Sequence, residues 1–159
     1  MKIVAKTDVG MVRESNQDSY TTGELPNGVA WAVVCDGMGG AAGGNVASST
    51  AVKVIAEQIT SSFRPGMSAN SIKNMMVSAI NAANISVYDI SCSNSELYGM
   101  GTTVVCAIVM EHIAYIAHAG DSRAYIVSHG ALTQLTRDHS VVQELVEHGK
   151  ITALEAKRH

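Results

Sequence analysis

The stretch Val29-Ala30-Trp31-Ala32-Val33-Val34-Cys35-Asp36-Gly37-Met38-Gly39-Gly40 changes character abruptly at Asp36. The uninterrupted apolar run Val29 to Cys35 reads as a strand buried on both faces. It then meets an aspartate and a glycine-rich turn. A carboxylate directly after a buried strand sits at a sheet edge, where a site can open, and the glycines let backbone approach a ligand closely. Hard divalent cations such as Mg²⁺ and Mn²⁺ prefer carboxylate and carbonyl oxygens. Asp36 and the backbone carbonyl of Gly37 are therefore candidate metal ligands. Taken alone, this pair reads more readily as a plain Asp-Gly turn between strand and helix.

Upstream, Ile3–Thr7 and Ser19–Thr22 read as short strands. Pro26-Asn27-Gly28 reads as a turn, because proline presets one dihedral and Asn-Gly tolerates positive φ. Between them lies Arg13-Glu14-Ser15-Asn16-Gln17-Asp18. An arginine grips phosphate through two parallel hydrogen bonds, and Asn16 and Asp18 can fix the loop or hold metal-bound water. A solvated polar turn is the other reading.

Downstream, Val46, Ala47, Ala51, Val54, Ile55 and Ile59 recur at helical spacing, which predicts an amphipathic helix from about Gly44 to Ser62. Arg64-Pro65-Gly66 ends it. A second helix is expected from Ser71 to about Ser91, so helix follows helix with no strand between. The period then shortens. Thr102–Met110, Ile113–Ala119 and Arg123–Val127 read as antiparallel strands, then a His129-Gly130 turn and a strand near Leu132–Leu135. Ser140 with Gln143 predicts a capping box, and Gly149 a helix stop. Thr152 with Glu155 is a second capping box, whose helix has few residues before His159. Gly120-Asp121-Ser122-Arg123 adds one more aspartate beside a glycine at a strand end.

The 159 residues fit one domain, and 47% hydrophobic against 16% charged residues exclude a disordered chain. A net charge of −3 with no basic run gives no nucleic-acid footprint. The opening Met1–Lys6 lacks the apolar stretch of a secretory leader, and no segment reaches the ~20 apolar residues of a membrane span. Cys35, Cys92 and Cys106 are odd in number and widely spaced, which argues for a reducing, cytoplasmic setting.

Five segments, in order, resemble the PP2C-like (PPM) family of metal-dependent protein phosphatases, in particular its compact bacterial members. They are Arg13-x-x-Asn16-Gln17-Asp18; Val33-Val34-Cys35-Asp36-Gly37-Met38-Gly39-Gly40; Gly101-Thr102-Thr103; Ala117-x-Ala119-Gly120-Asp121-Ser122-Arg123-Ala124-Tyr125; and Leu135-Thr136-x-Asp138-His139-Ser140. The resemblance implies an α/β fold of α+β type: two antiparallel β-sheets packed face to face with helices on both outer faces, an αββα sandwich. Residues 1–159 then form a single domain holding its N-terminal two-thirds and incomplete at the C-terminus. It implies hydrolysis of phosphoserine and phosphothreonine in proteins by a metal-bridged water at a site of two Mn²⁺ or Mg²⁺ ions, with a third, weaker site. Asp36 takes the place of the bridging ligand, Gly37 of the carbonyl ligand and Arg13 of the phosphate-binding arginine. Asp121 corresponds to an acid linked to the third metal, and Asp18 to a contact made through a neighbouring ligand or through water. Gly101, Thr102 and Thr103 are expected to serve the fold. Phosphorylated proteins are the expected partners, with a Ser/Thr protein kinase acting in opposition.

Three departures from the family pattern qualify this. Gln17 stands where many members carry a glutamate, which keeps an oxygen acceptor and loses the charge. Met38 stands where many eukaryotic members place a histidine. Nothing after Asp138 matches the family's two later metal-binding aspartates, so weak or absent activity and self-association through exposed sheet edges are expected of this chain. A regulatory, phosphoprotein-binding pseudophosphatase is the alternative. A dinucleotide site at Gly37-x-Gly39-x-x-Ala42 is a weaker rival, because helix follows helix where that fold needs a parallel strand. A cysteine phosphatase is excluded, because Ala41, Tyr98 and His112 stand where its arginine would follow each cysteine.

Overall fold

The computed structural model describes residues 1–156. Strand β1 (Asp18–Leu25) turns through Pro26–Gly28 into β2 (Val29–Met38). Asn27 and Gly28 both adopt positive φ there, 66° and 69°, as the turn chemistry predicts. Helices α1 (Gly40–Ser62) and α2 (Ala69–Ser93) follow, then β3 (Gly101–Thr102), β4 (Val104–Met110) and β5 (Ile113–Ala119). The main sheet runs β1-β2-β4-β5, with β3 paired to the end of β2, and every pairing is antiparallel. That removes the dinucleotide reading, which needs parallel strands. A second antiparallel sheet is the hairpin β6 (Tyr125–Ser128) and β7 (Ala131–Gln134). Its turn places His129 and Gly130 at positive φ, 51° and 78°. Helices α3 (Val141–Glu147) and α4 (Ala153–Ala156) come last.

The core lies between the main sheet and the α1–α2 layer. Val33 and Cys35 of β2 and Cys106 and Ile108 of β4 are fully buried against Ala47, Ile55, Ile59, Ile72 and Met76 of the helices. Each fully buried Ile contributes roughly 1.5–3 kcal/mol over leaving it exposed. Burial pushes the Cys35 and Cys106 thiols up to about 12, so both behave as small apolar groups.

Several expectations shift. Strand β2 is buried throughout on its helix-facing side, whereas on the other face Val34 is 47% exposed. Continuous apolarity cannot tell one covered face from two. Ile3–Thr7 is not a strand: it lies across the open face, lining a cavity with Tyr20, Thr22, Ala32 and Val34, instead of pairing along an edge. Helix α1 starts at Gly40, earlier than glycine's low propensity suggests, because tertiary contacts described below hold the turn. Strand β6 starts at Tyr125, since Arg123 is engaged elsewhere, and β7 at Ala131. The Ser140 cap forms, Oγ accepting from Gln143 N–H at 3.2 Å, but the Gln143 side chain donates to Glu147 and not back to the cap. Thr152 and Glu155 make the full reciprocal box, and the rest of that expected helix, 157–159, lies outside the described residues. Gly149 terminates α3 at φ 65°, its N–H donating to Val146 O. Among the described residues, no helix is long and apolar enough to cross a membrane.

Candidate active site

Asp36 lies in the last part of β2, and the antiparallel register sets Asp18 of β1 directly opposite it. Two like charges facing each other across a ladder repel. The Asp36 carboxyl is accordingly held above its ordinary range, first by burial, then by the charge and hydrogen bond of Asp18, then by Asp121, with Arg13 acting in the opposite sense.

A cavity of about 440 Å³ opens over this strand end, lined by Arg13, Gln17, Asp36, Gly37, Thr103 and Asp121 together with the turn Met38–Gly40. Arg13, Asp36, Gly37 and Asp121, from three separate segments of the sequence, thus share one space. Asp18 does not line this cavity; it lies on the neighbouring one with Tyr20 and Val34 and reaches the site through Asp36. Asn16 fixes its own loop, Oδ1 accepting from Asp18 N–H at 3.0 Å and Nδ2 donating to Thr7 Oγ1.

The glycine turn is held from behind by Gln17. Its Nε2 donates to Gly40 O at 2.7 Å, and its backbone carbonyl accepts from Gly37 N–H at 3.2 Å and Ser48 Oγ at 2.7 Å. Ser48 in turn meets Ser19 Oγ at 2.9 Å. A glutamate at position 17 could not make the amide donation to Gly40. The contact that this gives α1 is close: a Cβ on Gly37 would lie 2.0 Å from Gly44 O. At both of these glycines the absence of a side chain is required.

Asp121 is carried on the Gly120–Arg123 turn beyond β5. His139 N–H donates to Gly120 O at 2.9 Å. Arg123 makes a bidentate pair with Asp138, which holds the Asp138 carboxyl below its ordinary range. Ala124 N–H donates to Thr136 Oγ1, and His118 stacks on His139 with ring centroids 4.5 Å apart. His139 is thus a structural tie, and Asp138 the anchor of the turn.

The donor set is carboxylates and a backbone carbonyl, the chemistry that suits Mg²⁺ or Mn²⁺, and the unneutralised charge at Asp36 fits a cation there. Among the described residues, no group of three or more His, Cys, Asp or Glu side chains is close enough to cage a metal by itself. The carboxylates converge as a contacting pair with Asp121 further off.

An antiparallel sheet under a two-helix layer, with carboxylates and an arginine gathered at one strand end, is an arrangement suited to a divalent cation beside an anionic ligand. The sequence model described as Protein phosphatase 2C matches residues 12–154, and the chain belongs to that family. It is 36% identical to the serine/threonine phosphatase stp of Listeria monocytogenes, with 97% of this chain and 61% of that protein covered. It superposes on the serine/threonine phosphatase of S. agalactiae with a TM-score of 0.88 at 34% identity, covering 97% of this chain and 62% of that one. The catalytic domain of PstP in complex with 2 manganese ions gives a TM-score of 0.79 at 34% identity, over 95% and 61% of the two chains. The two antiparallel sheets and the helices are those of these phosphatases. The chain spans about three-fifths of the length of the relatives named here.

Proposed function

We propose that this chain carries the phosphate-binding and bridging-metal part of a divalent-metal phosphatase acting on phosphoserine and phosphothreonine in proteins. The observation that supports it is the shared cavity of Arg13, Asp36, Gly37 and Asp121. Asp36 and the Gly37 carbonyl would hold Mn²⁺ or Mg²⁺, Asp121 would hold a further ion, and Asp18 would act through its contact with Asp36. When bound, such ions lower the pKa of water and polarise phosphoryl oxygens. Arg13, which lines the cavity and pulls the Asp36 carboxyl down, would orient the phosphate dianion. Exposed Met38 offers no proton, so the leaving alkoxide would take its proton from solvent.

Phosphorylated proteins are then the partners, a Ser/Thr kinase supplies the substrate, and the cytoplasm is the compartment. The exposed hairpin residues Val127 and Leu132 and the open edges of β1 and β5 favour self-association. The lack of a three-ligand cage among the described residues favours weak turnover by these 159 residues. It also favours a second reading, a phosphoprotein-binding pseudophosphatase.

The test is Mn²⁺ binding and Mn²⁺-dependent hydrolysis of an aryl phosphate by this chain beside Asp36→Ala. Binding lost in the variant, with weak or no hydrolysis in the parent, is the expected result. Hydrolysis that is indifferent to Mn²⁺ or to Asp36→Ala would overturn the proposal. Mn²⁺ binding and phosphopeptide capture with no hydrolysis, even in a chain extended past His159, would select the second reading.

A further inference from the structure

The peptide of Asp36 is gripped by two consecutive threonines of the β3–β4 junction. Thr103 N–H donates to Asp36 O at 2.9 Å, and Asp36 N–H donates back to Thr103 Oγ1 at 3.0 Å. Thr102 Oγ1 lies 3.0 Å from the same Asp36 carbonyl. Thr103 Oγ1 then meets Ser122 Oγ at 2.7 Å. Since the Thr103 hydroxyl already accepts from Asp36, its own hydrogen is available to Ser122, the neighbour of Asp121. The methyl of Thr103 fits the same turn: a Cβ on Gly120 would lie 2.7 Å from Thr103 Cγ2. Thr103 is buried and also lines the cavity. One side chain therefore touches the backbone beneath one candidate ligand and the turn that carries another, on segments far apart in sequence.

We propose that Thr103, bridged to Ser122, is a positioning residue that fixes the spacing between Asp36 and Asp121, so that both carboxylates meet divalent cations from a preset geometry. The inference rests on reading the cavity as a cation site. Hydroxyl groups that orient ligands from behind change metal affinity when removed, even though they never touch the ion.

The test uses Thr103→Val, which keeps the shape and loses the hydroxyl, Thr103→Ser, which keeps the hydroxyl, and Ser122→Ala, which removes only the bridge. Mn²⁺ is titrated while the paramagnetic broadening of the Asp36 and Asp121 amide signals is followed, and hydrogen exchange of the Asp36 N–H is measured without metal. Thermal melts verify that each variant is folded. In Thr103→Val, the Mn²⁺ concentration for half-broadening is expected to rise about tenfold or more at both positions, and the Asp36 N–H to exchange faster. Thr103→Ser should stay close to the parent. Ser122→Ala should leave the Asp36 N–H protected while weakening the response at Asp121. A Thr103→Val chain that titrates like the parent, or a Thr103→Ser chain as impaired as Thr103→Val, overturns the proposal. If the parent shows no broadening at Asp36, the cation reading fails instead. The bridge is then judged by exchange alone, and an Asp36 N–H equally protected in Thr103→Val overturns it.

Discussion

Asp36 is worse off in the folded chain than in the unfolded one. It faces Asp18 across the ladder and feels Asp121, so its folded pKa is raised. The folded state then holds the proton more firmly, and this group's contribution to stability is full below the ordinary carboxylate range and lost as pH rises through the raised value. Asp36→Asn should therefore melt above the parent at neutral pH in metal-free buffer, by less than about 1 kcal/mol because the charges are partly solvated. The gain should vanish near pH 3, and calorimetry at the two pH values measures it. A lower melting point at neutral pH would show that the repulsion is already relieved. Asp36 was legible in the sequence because it breaks an apolar run. Thr103 and Ser122 were not, because what they do depends on partners 67 and 19 residues away. Gln17 was read for the charge it loses relative to glutamate; its amide and backbone carbonyl also tie the glycine turn to the start of β1, which residue type alone could not reveal.

At the scale of elements, the junction of β2 with α1 depends on two backbones passing at contact distance. A methyl at Gly37 would strike backbone atoms of Gly44 and Gln17, none of which belongs to a flexible side chain. Gly37→Ala should cost about 3 kcal/mol, the upper end for overpacking. Gly40, at φ 71° with open space around its Cβ position, should tolerate alanine at a cost of about 1 kcal/mol. Urea denaturation of the two variants checks the order, and equal losses would mean that backbone conformation, not contact, governs the turn. The long helices and the β4–β5 ladder were legible because each repeats one period over many residues. The start of α1 was not, since glycines there signal a loop unless one knows what packs on them.

At the scale of the whole molecule, a single helical pair covers one face of the main sheet, while a two-stranded hairpin, marginal by itself in water, is held by the Arg123–Asp138 pair and the His139 tie. Val127 and Leu132 face each other on that hairpin and are 72% and 66% exposed. The sedimentation coefficient of the chain should rise with concentration, and Val127→Lys combined with Leu132→Glu, an opposite-charge pair in the same register, should flatten that rise. No concentration dependence in the parent would remove the self-association proposal. The two-sheet class with its helices was legible from ordered motifs and changes of period. Which face stays open was not, because an apolar strand looks the same under one layer or two. The burial of Cys35 and Cys106 beside an exposed Cys92 has a practical consequence. A thiol reagent added to the native chain should label Cys92 at once and the other two only when the core opens, because a sulfhydryl with a pKa pushed up to about 12 presents almost no thiolate. The slow labelling phase would then clock how often the sheet and its helices come apart, giving the molecule an internal stopwatch for its own opening.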